Sequence, residues 1–380
     1  MKHSSARILR HAALVALLLT QAACSWQSLH PVFGGQPDDE SRARIAASPQ
    51  FDGQKFVNEE PTEIFTPQQK EGSALRTWLG KWWNAPDDKN PLQPLPSASL
   101  DAGRLQNGSF AWLGHSGVLF KTADKVLLTD PVFHRASPIP FPWLPLPLVA
   151  EPFALQHPLS PDELPRHIDA VLISHDHFDH LDLKTIQAID ARVGRYFVPL
   201  GVKAHLQRWG VASDKITEMD WHERAQVGSV ELIMTPARHF SGRMSGGHFA
   251  TLWSSWVVKS PELSIFINGD SGYGHHYARI GQQYGPFDAA LIEIAGYDEE
   301  WAQIHLTPEE AATASRDLRA KLILPTHWAR FDLAHHRWQE PIERLLAATR
   351  SPNQPVATPL IGEVFTLTSP PTSAWWRKAP

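Results

Sequence analysis

Cysteine is nearly absent from this 380-residue chain, which carries only Cys24. A single cysteine excludes a disulfide within the chain. If Cys24 serves as an attachment point, no thiolate remains, and any metal must be held by histidine, aspartate or glutamate. Positive charge is scarce too. Lysine and arginine number 35 against 40 acidic residues, for a formal charge of −5. That balance gives no electrostatic reason to seek nucleic acid. Long apolar runs are missing as well. The run Ala12 to Thr20 is too short to span a bilayer, and the negative mean hydropathy excludes a multi-span membrane protein. No internal repeat is strong enough to assert. The hydrophobic fraction of 42% is ordinary for a globular chain, and the length suits one large α/β domain with an extension.

The first residues read as an export signal. Lys2, Arg7 and Arg10 form a basic region ahead of the apolar run. Gln21-Ala22-Ala23-Cys24 resembles the lipobox of a bacterial lipoprotein. That resemblance implies that residues 1–23 are removed and Cys24 is lipidated. The protein would then sit on the periplasmic face of the envelope, and Ser25 after the cysteine favours the outer membrane. The alternative is an ordinary secretory signal cleaved near Ala23. Residues 24–104 read as a lipid-anchored linker and an irregular arm rich in tryptophan. Trp78, Trp82 and Trp83 either pack on the main domain or rest at a lipid interface. Residues 105–370 form the main domain and 371–380 a tail.

Histidine, by contrast, is plentiful at twenty residues. Four metal-binding side chains fall within His175-Asp176-His177-Phe178-Asp179-His180, an H-x-H-x-D-H motif after the apolar run Asp169 to Ser174. Histidine nitrogen and carboxylate oxygen suit zinc in hydrolytic sites. On an extended strand end His175 and His177 point the same way. Asp179 and His180 diverge, which suits a second metal beside the first.

The main domain begins with short β-rich runs at 109–113, 117–121 and 125–130, separated by turn residues. A proline-rich apolar stretch, 138–165, follows. It is either a lid or acyl-chain platform beside the metal site or a loop buried against the arm. After the motif the pattern predicts helices at 183–191, 202–209, 276–284, 307–320 and 341–349. Strands are expected at 196–199, 216–220, 229–235, 250–259, 263–268, 289–294, 321–324 and 364–368. Thr307-Pro308-Glu309-Glu310 is a capping box with proline at the first helical position. Strands first, then βα alternation, in each half, suits two mixed sheets packed together with helices outside. His239, Asp270 and His327 each stand where a strand gives way to a loop.

Motif, histidine, aspartate and histidine in that order resemble the metallo-β-lactamase superfamily over roughly residues 108–370. The resemblance implies a four-layer αβ/βα sandwich with two zinc ions. His175, His177 and His239 would hold one zinc. Asp179, His180 and His327 would hold the other, with Asp270 bridging. Trp112 to Ser116, Asp130 to Phe133, Arg238 to Ser241 and His305 to Glu310 are similar to the branch containing N-acylphosphatidylethanolamine-hydrolysing phospholipase D. In that branch the residues matching Phe178 and His305 contact substrate, the former commonly as tyrosine. For His305 the alternative is a polar residue before a helix, and His115 reads as a supporting residue rather than a ligand. The implied activity is an exported zinc phosphodiesterase acting on a phospholipid or similar amphiphile. Asp179 would orient the attacking hydroxide, and His305 would stabilise an anionic group or protonate the leaving oxygen. A lactonase or another C–O or C–N hydrolase on the same metals, or a non-catalytic zinc-binding envelope lipoprotein, are the alternatives. Oligomeric state is not readable.

Overall fold

Short apolar runs broken by turn residues become, among the described residues, thirteen strands in two mixed sheets. The structure, a computed structural model, describes residues 30–65, 89–137, 150–243, 247–351 and 353–379. Cys24, the three arm tryptophans and the run from Phe141 to Leu148 lie outside the described residues.

The first sheet contains β1 (Ser109–Trp112), β2 (Val118–Thr122), β3 (Lys125–Thr129), β4 (Ile168–Leu172), β5 (Val193–Pro199), β6 (Ile216–Met219) and β13 (Val364–Thr366). Their spatial order is β13-β1-β2-β3-β4-β5-β6, antiparallel up to β3 and parallel beyond it. The second contains β7 (Arg224–Val227), β8 (Val230–Thr235), β9 (Ser255–Lys259), β10 (Ser264–Ile267), β11 (Ala289–Glu293) and β12 (Ile323–Thr326). It runs β12-β11-β10-β9-β8-β7, with β10 to β12 parallel and the rest antiparallel. Central strands such as β4 and β11 are apolar along nearly their whole length because both faces are covered. One continuous core joins Phe110, Leu119 and Val171 of the first sheet to Leu232, Val257, Phe266 and Leu291 of the second. The architecture is the expected αβ/βα sandwich.

Among the described residues six α-helices complete it: α1 (Asp39–Ala47), α2 (Leu183–Ile189), α3 (Lys203–Arg208), α4 (His276–Tyr284), α5 (Pro308–Asp317) and α6 (Glu340–Ala348). α5 packs between α4 and α6 and against β11. Its capping box forms as expected: Thr307 Oγ1 accepts from the Glu310 amide, and Glu310 Oε2 accepts from the Thr307 amide. The helix stops at Asp317 rather than near residue 320, because Arg319 takes a left-handed φ of 58°. No helix among the described residues is long and apolar enough to cross a membrane.

Other departures have identifiable causes. The expected strand over 250–259 begins only at Ser255, since residues before it bond to the other sheet's loops: Leu252 N donates to Leu200 O and Ser254 N to Ser174 O, both at 2.9 Å. β7 was not foreseen because its Arg-Ala-Gln-Val is half polar, as suits an edge strand. Residues 30–65, expected as linker and arm, are docked. α1 is capped by Asp38, and Ser41 Oγ donates to Glu218 Oε2 at 2.6 Å; Phe33, Ile45 and Phe56 are buried. The expected tail also docks, with Trp375 stacked on Trp328 at 5.4 Å and Trp376 buried beside it. Within the proline-rich stretch, residues 150–165 lie along the 95–100 segment, where Leu95 and Leu155 bridge.

Candidate metal centre

The strand ends converge. Beyond the carboxyl ends of β3, β4, β8, β10 and β12 come Asp130, the 175–180 turn, His239, Asp270 and His327, and Glu293 closes β11. Carboxyl ends of strands are where open α/β sheets place their sites. Gly269 lets β10 reach the turn. Its φ is +62°, and a Cβ there would lie 2.5 Å from Ser174 Cβ. Three further residues here adopt left-handed backbone despite having side chains: His115 (φ 51°), Asp130 (34°) and His327 (64°). Each costs of order 1–3 kcal/mol, a cost the surrounding packing has to hold in place.

All seven residues singled out in the sequence come together. His175, His177, His239 and Asp270 form one group and Asp179, His180 and His327 another, the latter joined by His115; within each group the ligand-type atoms lie within 4.8 Å of one another. Asp270 Oδ2 is central. It stands 3.1 Å from His180 Nε2, 3.2 Å from His327 Nε2, 3.8 Å from His239 Nε2 and 3.9 Å from His175 Nε2. Asp179 Oδ2 faces His115 Nε2 at 3.0 Å and His327 Nε2 at 3.3 Å.

The outer ring atoms of the histidines are tied down. His239 Nδ1 donates to Ile304 O at 2.9 Å and His327 Nδ1 to Ala295 O at 3.2 Å. A carbonyl only accepts, so both rings carry a proton on Nδ1 and turn Nε2 inward, towards the carboxylates and the other histidines. His180 Nδ1 meets Asp130 Oδ2 at 2.9 Å, and His175 Nδ1 meets Ser174 Oγ at 2.9 Å.

The donor set fits divalent metal. His180 Nε2, His327 Nε2 and Asp270 Oδ1 are buried without a hydrogen-bond partner. His177 Nδ1 sits 2.9 Å from His175 Nε2 and 3.2 Å from His239 Nε2, three basic nitrogens crowded at one point. Electrostatics agree. Burial, and then the charge of His180, hold His175 well below its ordinary value. Burial would raise Asp270, but His180 and His327 beside it keep its carboxyl well below the usual range. Burial would lower His327, yet Asp270 and Asp179 raise it to about 10. Asp270 and Asp179 thus hold a proton on His327 that a cation would displace.

A cavity of about 260 Å³ opens over this floor. His177, Asp179, Asp270, His305 and His327 lie at its base, and Ile64, Phe65, Phe240, Trp301, Ile304 and Leu333 line its walls. Phe65 and Leu333 are 70% and 38% exposed at the mouth. Phe178 is not among the lining residues. Its ring packs 4.1 Å from the Arg243 guanidinium and edge-on to Phe33.

Sequence reasoning missed the supports. Arg243 is buried and donates to the carbonyls of Asp176 (2.6 Å), Leu181 (2.7 Å) and Val32 (2.9 and 3.0 Å). Asn58 clamps His239 on both backbone groups, at 2.8 and 3.0 Å. Glu293 is fully buried behind His305, pushed up by burial and by the Asp270 charge. Asp130 opens one of the family-like segments and Arg243 stands two residues past another, and a carboxylate ending an all-apolar strand was a signal for Glu293. Nothing local marked Asn58.

The model of the β-lactamase superfamily domain matches residues 125–328. An uncharacterised protein of Mycobacterium tuberculosis is 39% identical over 98% of this chain and 99% of its own. An N-acyl-phosphatidylethanolamine-hydrolysing phospholipase D of Caenorhabditis elegans is 31% identical over 69% of this chain and 76% of its own. The outer membrane protein RomA of Klebsiella pneumoniae is 47% identical over 25% of this chain and 71% of its own. Among solved structures, a metallo hydrolase of Ignicoccus hospitalis superposes with a TM-score of 0.51 at 19% identity, covering 68% of this chain and 97% of that one.

Proposed function

The chain belongs to the metallo-β-lactamase superfamily of metal-dependent hydrolases, and from that premise we propose a dinuclear zinc phosphodiesterase of the phospholipase D type. Its substrate is an N-acylphosphatidylethanolamine-like phospholipid or similar amphiphile. The observation that carries this reading is an apolar wall standing over a charged floor. Ile64, Phe65, Trp301 and Leu333 offer acyl chains a surface directly above Asp179, Asp270 and His327. The nematode relative, named for that hydrolysis, supports the same substrate class.

His175, His177 and His239 would hold one ion, Asp179, His180 and His327 the other, and Asp270 both. When bound, such a pair supplies an activated water near neutral pH and positive charge for the developing oxyanion. The chain's own residues do the rest. Asp179, held by His115, orients the attacking water. His305 lines the same cavity and contacts the polar part of the substrate. The apolar wall excludes bulk water and strengthens every charge interaction beneath it. Lipidation of Cys24 would keep the enzyme beside a membrane substrate. The Klebsiella relative, named an outer membrane protein, supports that location.

The test is a metal-loaded protein from Ser25 onward, assayed on N-acylphosphatidylethanolamine, a chromogenic phosphodiester and an acyl-homoserine lactone. Turnover of both diesters is expected, with about two zinc per chain. Hydrolysis of the lactone alone would overturn the substrate class. Release of a Cys24→Ala variant from the membrane fraction tests the anchor.

A further inference from the structure

A buried polar network stands behind His305. Glu293 Oε1 accepts from the Ser271 amide at 2.5 Å and from Asn268 Nδ2 at 3.3 Å, while its Oε2 faces His305 Nδ1 at 2.8 Å. Asn268 is fixed in turn by the Tyr277 hydroxyl, which donates to Oδ1 at 2.7 Å. His305 lies two residues ahead of the capping box of α5, so its backbone is anchored as well. Asp270 Oδ2 stands 4.0 Å from the same Nδ1, and two carboxyl groups on one side of the ring favour a proton on that nitrogen. The ring lines the cavity, and with the proton on Nδ1 the lone pair falls on Nε2.

We propose that Glu293 is a positioning residue: by holding the Nδ1–H of His305 it fixes that ring's rotamer and tautomer and presents Nε2 to the cavity as a hydrogen-bond acceptor. The site then selects amphiphiles whose head group carries a donor, an amide N–H or a hydroxyl, near the scissile phosphodiester. This deepens the function proposed above and rests on it for the substrate, though not for the tautomer.

The isosteric variant Glu293→Gln tests it. Oε1 is held by two donors, so the carboxamide must turn its NH2 towards His305, and the ring must respond by moving its proton to Nε2. Nitrogen-15 NMR of histidine-labelled protein is expected to show Nδ1–H for His305 in the wild type and Nε2–H in E293Q. Metal content should stay the same. For a diester with an amide N–H in its head group, KM should rise about 10- to 100-fold with kcat little changed, as losing one buried hydrogen bond implies. A diester without a donor should be unaffected, and E293Q should add nothing to His305→Ala. An Nε2–H signal in the wild type overturns the proposal even if E293Q fails to fold. Loss of metal in E293Q would also overturn it, making Glu293 a ligand, and so would additive losses. If no diester is turned over, the substrate reading fails while the NMR result stands on its own.

Discussion

Arg243→Lys removes geometry while keeping charge. The guanidinium spreads its donors in two directions. One amino group serves Asp176 and Leu181 within the metal turn, and the other edge serves Val32 from the N-terminal arm. A lysine ammonium is a single point and cannot reach both sides. One set of carbonyls, buried with the side chain, loses its partner, and each lost hydrogen bond to a charged group costs about 1.5–3 kcal/mol. If half of such a loss falls on the geometry of the 175–180 turn, metal affinity drops roughly 10-fold, and groups of this supporting kind are typically worth about 10–100-fold. The assay is competition with a chromophoric chelator, with turnover measured at saturating zinc. Arg243→Lys is expected to bind metal about 10–100-fold more weakly and to recover most of its turnover when zinc is in excess. Wild-type metal affinity together with an unchanged melting temperature would refute the idea that the guanidinium splints the turn.

Asp270→Asn should lose both ions and turnover, since Oδ2 lies within 3.9 Å of four histidine nitrogens; a variant with two metals by elemental analysis would remove its bridging role. In metal-free protein His327 is raised to about 10, so its contribution is complete below the ordinary histidine value and fades as pH rises towards 10. Thermal melts should therefore show metal-free protein losing stability between about pH 6.5 and 10, while loaded protein, with a cation in the proton's place, does not; parallel curves would contradict this. Phe65→Asp and Leu333→Asp should raise KM for long-chain diesters and leave a short soluble diester alone, and equal effects on both would remove the apolar wall from substrate binding.

Much of the site could be read in advance because its residues cluster in short, local patterns. The turn from His175 to His180 is contiguous, and His239, Asp270 and His327 each follow an apolar strand. Strand and helix positions followed from periodicity to within a few residues at most elements. What escaped depends on contacts between distant parts of the chain. Asn58 reaches His239 across 181 positions and Arg243 reaches Val32 across 211, so no window of sequence contains either pair. Arg243 and Phe33 pack against the Phe178 ring, contacts that its place in the motif does not reveal. Residues 250–254 look like strand by composition, yet their backbone bonds go to the opposite sheet.

The docked arm changes where the working molecule has to be cut. A fragment trimmed to the recognisable stretch, 125–328, would retain all seven side chains able to grip a cation pair. It would discard Val32 and Asn58, which splint them, and Ile64 and Phe65, which roof the cavity. The borders of resemblance and the borders of competence are therefore different. Anyone transplanting this chemistry into another scaffold must carry across a stretch that begins before residue 32.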